Sequence, residues 1–533
     1  MRTIVVFALL FGAATALPLT GVTDTIGGTT FDDQNSGPAL QWLATDPVNG
    51  IHAAWTFSTE PQSSGWPDRT VYYNFYDCAT GEWTWIDPDD YMASGLNSQT
   101  QRTGYGTLEL DPSGGAALVA CHYNAGGMPP HFTPTVAWDL MPGAGIFDEC
   151  VGAPGLVDYF LPVIGVTSDR TVHLLLIMFQ ASDNLYYTRS SSWCTWESPS
   201  GWQQTGAFGH NLIASGQSDR LLATWMTGSN ESLCLSYRYS TDAGTTWTPA
   251  AQLVPPPVYG GETLTVCARG TSGLFDSGDD WAIATTLLPV VADSALDNPA
   301  ELWLYQSGTS EWHRIHRAES HNLAGGFGLH AAICDRPSLG HNPDDGRFYV
   351  AWEQFDSTNL EPSTGLLRAD IWASWSEDGA TWRLPSRITV PDESSKRFPC
   401  LGRDCSGDWQ AIGWVQDLIA GFNADEVGAE SDNPVCVWHG DIVGIAENRS
   451  APLARFDARP NPGRGFRFEG TAGRSNQPVR IYDVNGTLVR TLAAGAADGW
   501  DGRDDAGVRV RPGCYFARTG APDSRPTKLV LVE

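Results

Sequence analysis

Basic residues are scarce in this chain: Lys and Arg number 32 against 61 Asp and Glu, for a formal charge of −29. Such an excess of negative charge repels phosphate backbones and anionic membranes, so a nucleic-acid role is excluded. No CxxC pair and no HExxH is present, which leaves neither a structural nor a catalytic zinc site, and no cofactor is indicated. Beyond the N-terminus no apolar run is long enough to span a bilayer.

The N-terminus is the exception. "MRTIVVFALLFGAATALPLTG" carries one charge at Arg2, an apolar run from Ile4 to Phe11, and small residues Ala14 and Ala16 around Thr15. That three-part pattern reads as a secretory signal, residues 1–16, cut after Ala16. The mature protein is therefore expected outside the cytoplasm, secreted or at the cell surface. Its eleven cysteines leave at least one unpaired, and Cys400 and Cys405 are near enough in sequence to bridge across a turn.

A repeat organises the mature chain. Apolar strands recur as "IHAAW" at 51, "AALVACHY" at 116, "TVHLLLIMF" at 171, "RLLATWM" at 220, "WAIATTLL" at 281, "RFYVAWEQF" at 347 and "WQAIGWVQD" at 409. Most are followed by an aromatic strand and a tryptophan corner, as in "LSYRYSTDAGTTW" and "IWASWSEDGATW". The spacings, 49 to 66 residues, are too long for a β-helix coil and too regular for a sandwich, but each leaves room for four strands. An all-β fold is expected, with a seven-bladed β-propeller over 17–447, a linker at 448–457 and a small β-sandwich over 458–533.

The stretch Ser240, Asp242, Gly244, Thr246, Trp247 fits S-x-D-x-G-x-T-W, and Ser376, Asp378, Gly379, Thr381, Trp382 is the same corner one residue shorter. Both resemble the Asp-box of the bacterial neuraminidase repeat, which implies a turn between third and fourth blade strands on the face opposite the ligand. The neuraminidase chemistry that this resemblance would bring needs three arginines on a carboxylate and an Arg-Ile-Pro signature near the first blade. That signature is missing, and Arg336-Pro337 lies in the sixth repeat instead, which argues against sialic acid cleavage. At the C-terminus, Pro460-Asn461-Pro462, Asp483, a hairpin at Asn485-Gly486, Trp500-Asp501-Gly502, Gly507, Gly513, Tyr515 and Lys528-Leu529-Val530 carry a second resemblance. They are similar to the immunoglobulin-like domain of the flagellar hook-capping type and to the sorting domains of type IX secretion substrates. That resemblance implies secretion machinery as a partner.

In a propeller the first strand of each blade begins on the face that carries the connections between second and third strands. Those connections are long, among them "TFSTEPQSSGWPDRT" and "EQFDSTNLEPSTGLLRAD", and long irregular loops in compact domains are usually functional. The first-strand starts read as Gln41, Tyr105, Tyr159, His210, Glu262, His330 and Arg397. Tyr105, His210, Glu262, His330 and Arg397 are the candidate catalytic groups, and Gln41, Arg102, Tyr159 and Lys396 the candidate ligand-binding groups. One reading is a module that binds an extracellular glycan or surface protein, with Trp66 and Trp202 stacking on sugar rings. The alternative is a secreted carbohydrate-active enzyme. A hydrolase would need two carboxylates, Glu262 and Asp158; a polysaccharide lyase would use Tyr or His to move a proton and Arg to neutralise a uronate. His122 and His131 are secondary candidates, and Asp344-Asp345-Gly346 and Asp87 to Asp90 read as turns.

Overall fold

The computed structural model describes residues 20–34, 41–126, 131–152, 155–178, 181–202, 208–228, 233–256, 263–292, 294–329, 331–406, 410–423, 426–443, 456–459, 463–470, 479–483, 487–492, 499–519 and 527–532. The expected signal segment 1–16 and most of the expected linker lie outside them. The described residues are nearly all β, with two short 3-10 turns and no α-helix. No helix among them is long and apolar enough to cross a membrane. The chain divides into two compact units, one spanning Pro18–Val443 and the other containing Gly444–Glu533.

The first unit holds seven sheets of four strands in sequence, two of them with a short fifth strand. Their first strands are Leu43–Asp46, Thr103–Leu110, Tyr159–Val166, Phe208–Ala214, Thr263–Phe275, Cys334–His341 and Ser395–Leu401, numbered here as sheets 1 to 7. Each packs against the first strand of the next sheet, and that of sheet 7 against that of sheet 1, so the series closes into a ring. The recurring apolar segments are the second strands. In Gly50–Phe57 every residue is buried, because a sheet packed between two neighbours has no solvated face. Each hydrophobic cluster spans a boundary between neighbouring sheets; one joins Ile213, Leu222 and Leu235 of sheet 4 to Val266, Ile283 and Trp303 of sheet 5.

Sheet 7 obtains its outer strand from the other end of the unit. Thr20–Thr29 pairs antiparallel with Asn433–Asp441, from Thr20 opposite Asp441 to Thr29 opposite Asn433. The ring is thus closed by backbone hydrogen bonds between segments some four hundred residues apart in sequence.

Both tryptophan corners lie between third and fourth strands. In sheet 4, Asp242 Oδ1 accepts from Thr246 N (2.8 Å) and Ser240 Oγ (2.9 Å), and its Oδ2 accepts from Thr246 Oγ1 (2.7 Å). Gly244 sits at φ 72°, where a Cβ would strike the Tyr187 hydroxyl of sheet 3. Trp247 then packs edge-on against Tyr187 and Trp202 of sheet 3. In sheet 6, Asp378 Oδ1 accepts from Ala380 N, Thr381 N and Ser376 Oγ, and Trp382 Nε1 donates to Gly379 O.

Cys400 and Cys405, near enough in sequence to bridge, are not bridged; the disulfide is Cys150–Cys194, which links the last strand of sheet 2 to the turn after the third strand of sheet 3. Cys400 Sγ instead receives Trp42 N and Cys405 Sγ faces Gly402 O, so each thiol is committed to backbone. Closeness in sequence does not aim two Cβ vectors at one another.

The second unit holds a four-stranded sheet ordered Leu488–Leu492, Val479–Asp483, Gly513–Thr519, Thr527–Leu531, and a pair formed by Phe456–Arg459 and Arg467–Gly470. Its core gathers Phe466, Ile481, Tyr515, Leu529 and Leu531 around Trp500, whose Nε1 donates to Arg503 O at 2.8 Å. The first two strands pair as the expected hairpin; its Asn485-Gly486 turn and Pro460-Asn461-Pro462 lie outside the described residues.

Candidate active site

Six of the seven first strands carry a register shift near their start: between Gly104 and Thr107, Phe160 and Val163, Phe208 and Asn211, Val266 and Thr271, Asp335 and Ser338, and Arg397 and Cys400. At five of these the chain enters the left-handed region, at Tyr105 (φ 55°), Leu161 (50°), Gly209 (56°), Arg336 (51°) and Phe398 (59°). For a side chain other than glycine that conformation costs on the order of 1 kcal/mol, so its recurrence has to be held in place by the surrounding structure. A bulge breaks the alternation of the strand and re-aims its side chains.

On the side of sheets 1 to 4 the bulges gather proton-transferring groups. Tyr105 stacks on His122 with ring centroids 6.0 Å apart and planes 20° apart, and Phe132 and Phe160 pack edge-on against the same imidazole. His122 Nδ1 accepts Leu161 N at 3.4 Å, so its proton resides on Nε2. His210 Nε2 donates to Leu161 O at 2.8 Å. The two imidazoles thus clamp the left-handed Leu161 from both its backbone groups. Burial lowers His122 to about 3 and His210 to about 4, so both are neutral across the physiological range.

Two arginines border these groups. Arg69 donates Nε to Thr103 O at 3.1 Å and lies over the rings of Phe31 (4.9 Å) and Tyr105 (5.4 Å). Arg102 donates to Trp66 O at 2.9 Å and Gly65 O at 2.7 Å. Among the described residues neither is ion-paired, and Arg102 contributes, after burial and Tyr105, to the field on Arg69. Asp33, in the segment ahead of sheet 1, acts electrostatically on both Arg69 and Arg336.

The side of sheets 6 and 7 is different, since there the cations at the bulges, among the described side chains, are matched. Glu353 accepts from Arg336, from Arg397 at 3.0 and 3.1 Å, and from Phe398 N at 3.1 Å. Burial acts to raise the Glu353 carboxyl, and the two guanidiniums outweigh it and hold it below the ordinary range. Arg397 also lies over Phe355, Phe398 and Phe422. Asp417 is pushed well up by burial and by Asp32.

The sequence-predicted groups therefore divide. Tyr105 and Arg102 stand at one site, with His122 promoted from a secondary candidate. Arg69 was missed, although it lies in the quoted loop "TFSTEPQSSGWPDRT". Arg397 is buried and neutralised by Glu353. Lys396 is tied to Asp392 and lies 3.5 Å from Asp370, leaving no cation to offer a ligand. Gln41 donates to Leu43 O and Leu401 O, fastening sheet 1 to sheet 7. Tyr159 packs edge-on against Tyr186, within its own sheet. Asp158, at φ 69°, holds His131 at 2.7 Å. Glu262 and His330 lie outside the described residues. Trp66 and Trp202 are buried, against Phe31 and against Tyr187 and Trp247, so neither offers a face to a sugar. Among the described residues no cluster of His, Cys, Asp or Glu could hold a metal ion.

No protein-family model and no curated protein matches the chain. Several solved structures resemble it. An ulvan lyase from a polysaccharide lyase family, solved bound to -[GlcA(1-4)Rha3S]-, is 12% identical over 78% of this chain and 95% of its own, with a TM-score of 0.51. The polysaccharide lyase Uly1 is 9% identical over 76% and 90%, with a TM-score of 0.41. An α-L-arabinofuranosidase from Fusarium graminearum is 13% identical over 67% and 97%, with a TM-score of 0.41. At 12% identity and a TM-score of 0.51, the likeness to the ulvan lyase is one of fold alone, an all-β, propeller-like scaffold.

Proposed function

We propose that Pro18–Val443 is a seven-bladed β-propeller that acts as an extracellular polysaccharide lyase on a uronate-bearing polymer, and that the C-terminal unit is an immunoglobulin-like sorting or attachment domain. The observation that carries the reading is the pair of arginines, Arg69 and Arg102, held by backbone carbonyls alone beside Tyr105 and a neutral His122. Arg69 is partly buried and makes no ion pair among the described residues, Asp33 acting on it only electrostatically, and Arg102 beside it is exposed, so a ligand carboxylate would complete the pair. The fold shared with the ulvan lyase supports the same class.

The elimination is built from these groups. Arg69 and Arg102 bind the uronate carboxylate and reduce its negative charge, which acidifies the neighbouring C5–H. His122 Nε2–H donates a hydrogen bond to the carboxylate as charge moves onto it, a role that suits a neutral imidazole. Tyr105 Oη, beside the Arg69 cation, is the base of this step: it acts as a phenolate and takes the C5 proton. The C–H electron pair becomes the C4–C5 double bond, the C4–O4 bond breaks, and the proton returns to O4. His210 positions Leu161 and touches no substrate.

A panel of uronate polysaccharides separates the classes. Ultraviolet absorbance from an unsaturated uronate is the expected outcome. New reducing ends without absorbance would point to a hydrolase and overturn the lyase reading; retention without cleavage would leave a binding module.

A further inference from the structure

A second groove lies away from the arginine pair, between the outer strand of sheet 5, Glu311–Ala318, and sheet 6. It encloses about 360 Å³, within the range of small-ligand sites. Its walls include His316, Arg317, Gln354, Asp356, Trp372 and Arg387. Phe355, also in the wall, reaches toward the axis, where it packs against Phe327 and beneath Arg397.

Hydrogen bonding fixes what this groove presents. Trp352 Nε1 can only donate, so the Gln354 atom it meets at 3.2 Å is Oε1. The same oxygen lies 2.9 Å from His316 Nε2, which must therefore carry the imidazole proton. Burial lowers the His316 pKa and keeps the ring neutral. The result is a fixed acceptor, His316 Nδ1, and a fixed donor, the Gln354 amide nitrogen, which has no protein partner among the described residues.

The charges of the groove cancel. Arg387 bonds Asp370 at 2.7 Å and Asp356 at 3.3 Å, and Arg317 bonds Glu301 at 2.7 Å and Glu319 at 3.3 Å. An anion would gain little from guanidiniums already matched, whereas a hydroxyl both donates and accepts and suits a donor beside an acceptor. We infer that the groove between sheets 5 and 6 is a second carbohydrate site, for an uncharged sugar residue held through its hydroxyls, distinct from the arginine-lined site.

Affinity electrophoresis of the full chain in gels of xylan, arabinan and galactan tests this independently of any cleavage. The wild type is expected to be retarded in at least one of these gels. Gln354→Glu keeps the acceptor oxygen for Trp352 and His316 but replaces the donor with negative charge, and should weaken the retardation at least fivefold. The melting temperature of the variant is measured alongside. Arg69→Ala should be retarded like the wild type. Passage of the wild type through all three gels unretarded, equal retardation of a folded Gln354→Glu, or loss confined to Arg69→Ala would each overturn the inference. Absence of an unsaturated product would overturn the lyase reading alone.

Discussion

Four of the described imidazoles are lowered to about 3 or 4 inside the ring. His52 Nδ1 meets the Tyr73 hydroxyl at 2.7 Å and His173 Nδ1 meets that of Tyr187 at 2.8 Å, while His122 and His210 clamp Leu161. Burial lowers them to about 4, 3, 3 and 4 respectively. An unfolded histidine titrates near 6.5, so below that pH the unfolded chain binds more protons than the folded one. Their stabilisation is complete above pH 6.5 and is lost as pH falls toward the folded values. Between pH 7 and pH 5 each is expected to cost about 2 kcal/mol. Asp335 and Asp417, raised chiefly by burial, act in the opposite sense. Comparing urea midpoints at the two pH values isolates one group: His52→Gln should lose about 2 kcal/mol less than the wild type over that drop. Equal losses would mean that His52 is not held neutral by the fold.

At the scale of elements, turns and bulges differ in how much they reveal. The corner around Asp242 was legible because its chemistry is local: a carboxylate, two hydroxyls and a glycine within eight residues determine the turn. Asp242→Ala should cost about 1–2 kcal/mol through those hydrogen bonds while leaving activity intact. A folded variant that lost activity at unchanged stability would move function to the opposite face. The bulges were not legible, since nothing in the residue types of Tyr105, Leu161, Arg336 or Phe398 calls for a positive φ; neighbouring sheets impose it. Reading only first-strand starts therefore found Tyr105 but placed Arg397 among free cations, although Glu353 neutralises it from the second strand of the neighbouring sheet 6. Arg69 was passed over because it precedes a third strand, Thr70–Asp77, and reaches its neighbours across a sheet boundary. The pairing of Cys150 with Cys194 was hidden for the same reason.

At the scale of the molecule, seven repeats were visible in the sequence, but the strand that closes them was not. Thr20–Thr29 completes sheet 7 by covering the edge of Asn433–Asp441. Removing residues 20–29 should expose that edge and release the ring, giving loss of cooperative unfolding and aggregation; a truncated chain that melts like the parent would contradict closure by this strand. Removing residues 444–533 should leave the ring folded, because the C-terminal unit has its own core. The charge of −29 makes attraction of an anionic polymer a local matter, confined to the surroundings of Arg69 and Arg102. The most direct test is the initial rate of ultraviolet absorbance on a uronate polymer that the wild type cleaves, measured for Tyr105→Phe and Arg69→Ala beside Asp242→Ala. Both site variants should fall at least a hundredfold with melting temperatures near that of the wild type, and Asp242→Ala, assayed well below its melting point, should keep its rate. Full activity in a folded Tyr105→Phe or Arg69→Ala would contradict the assignment of catalysis to this end of the ring.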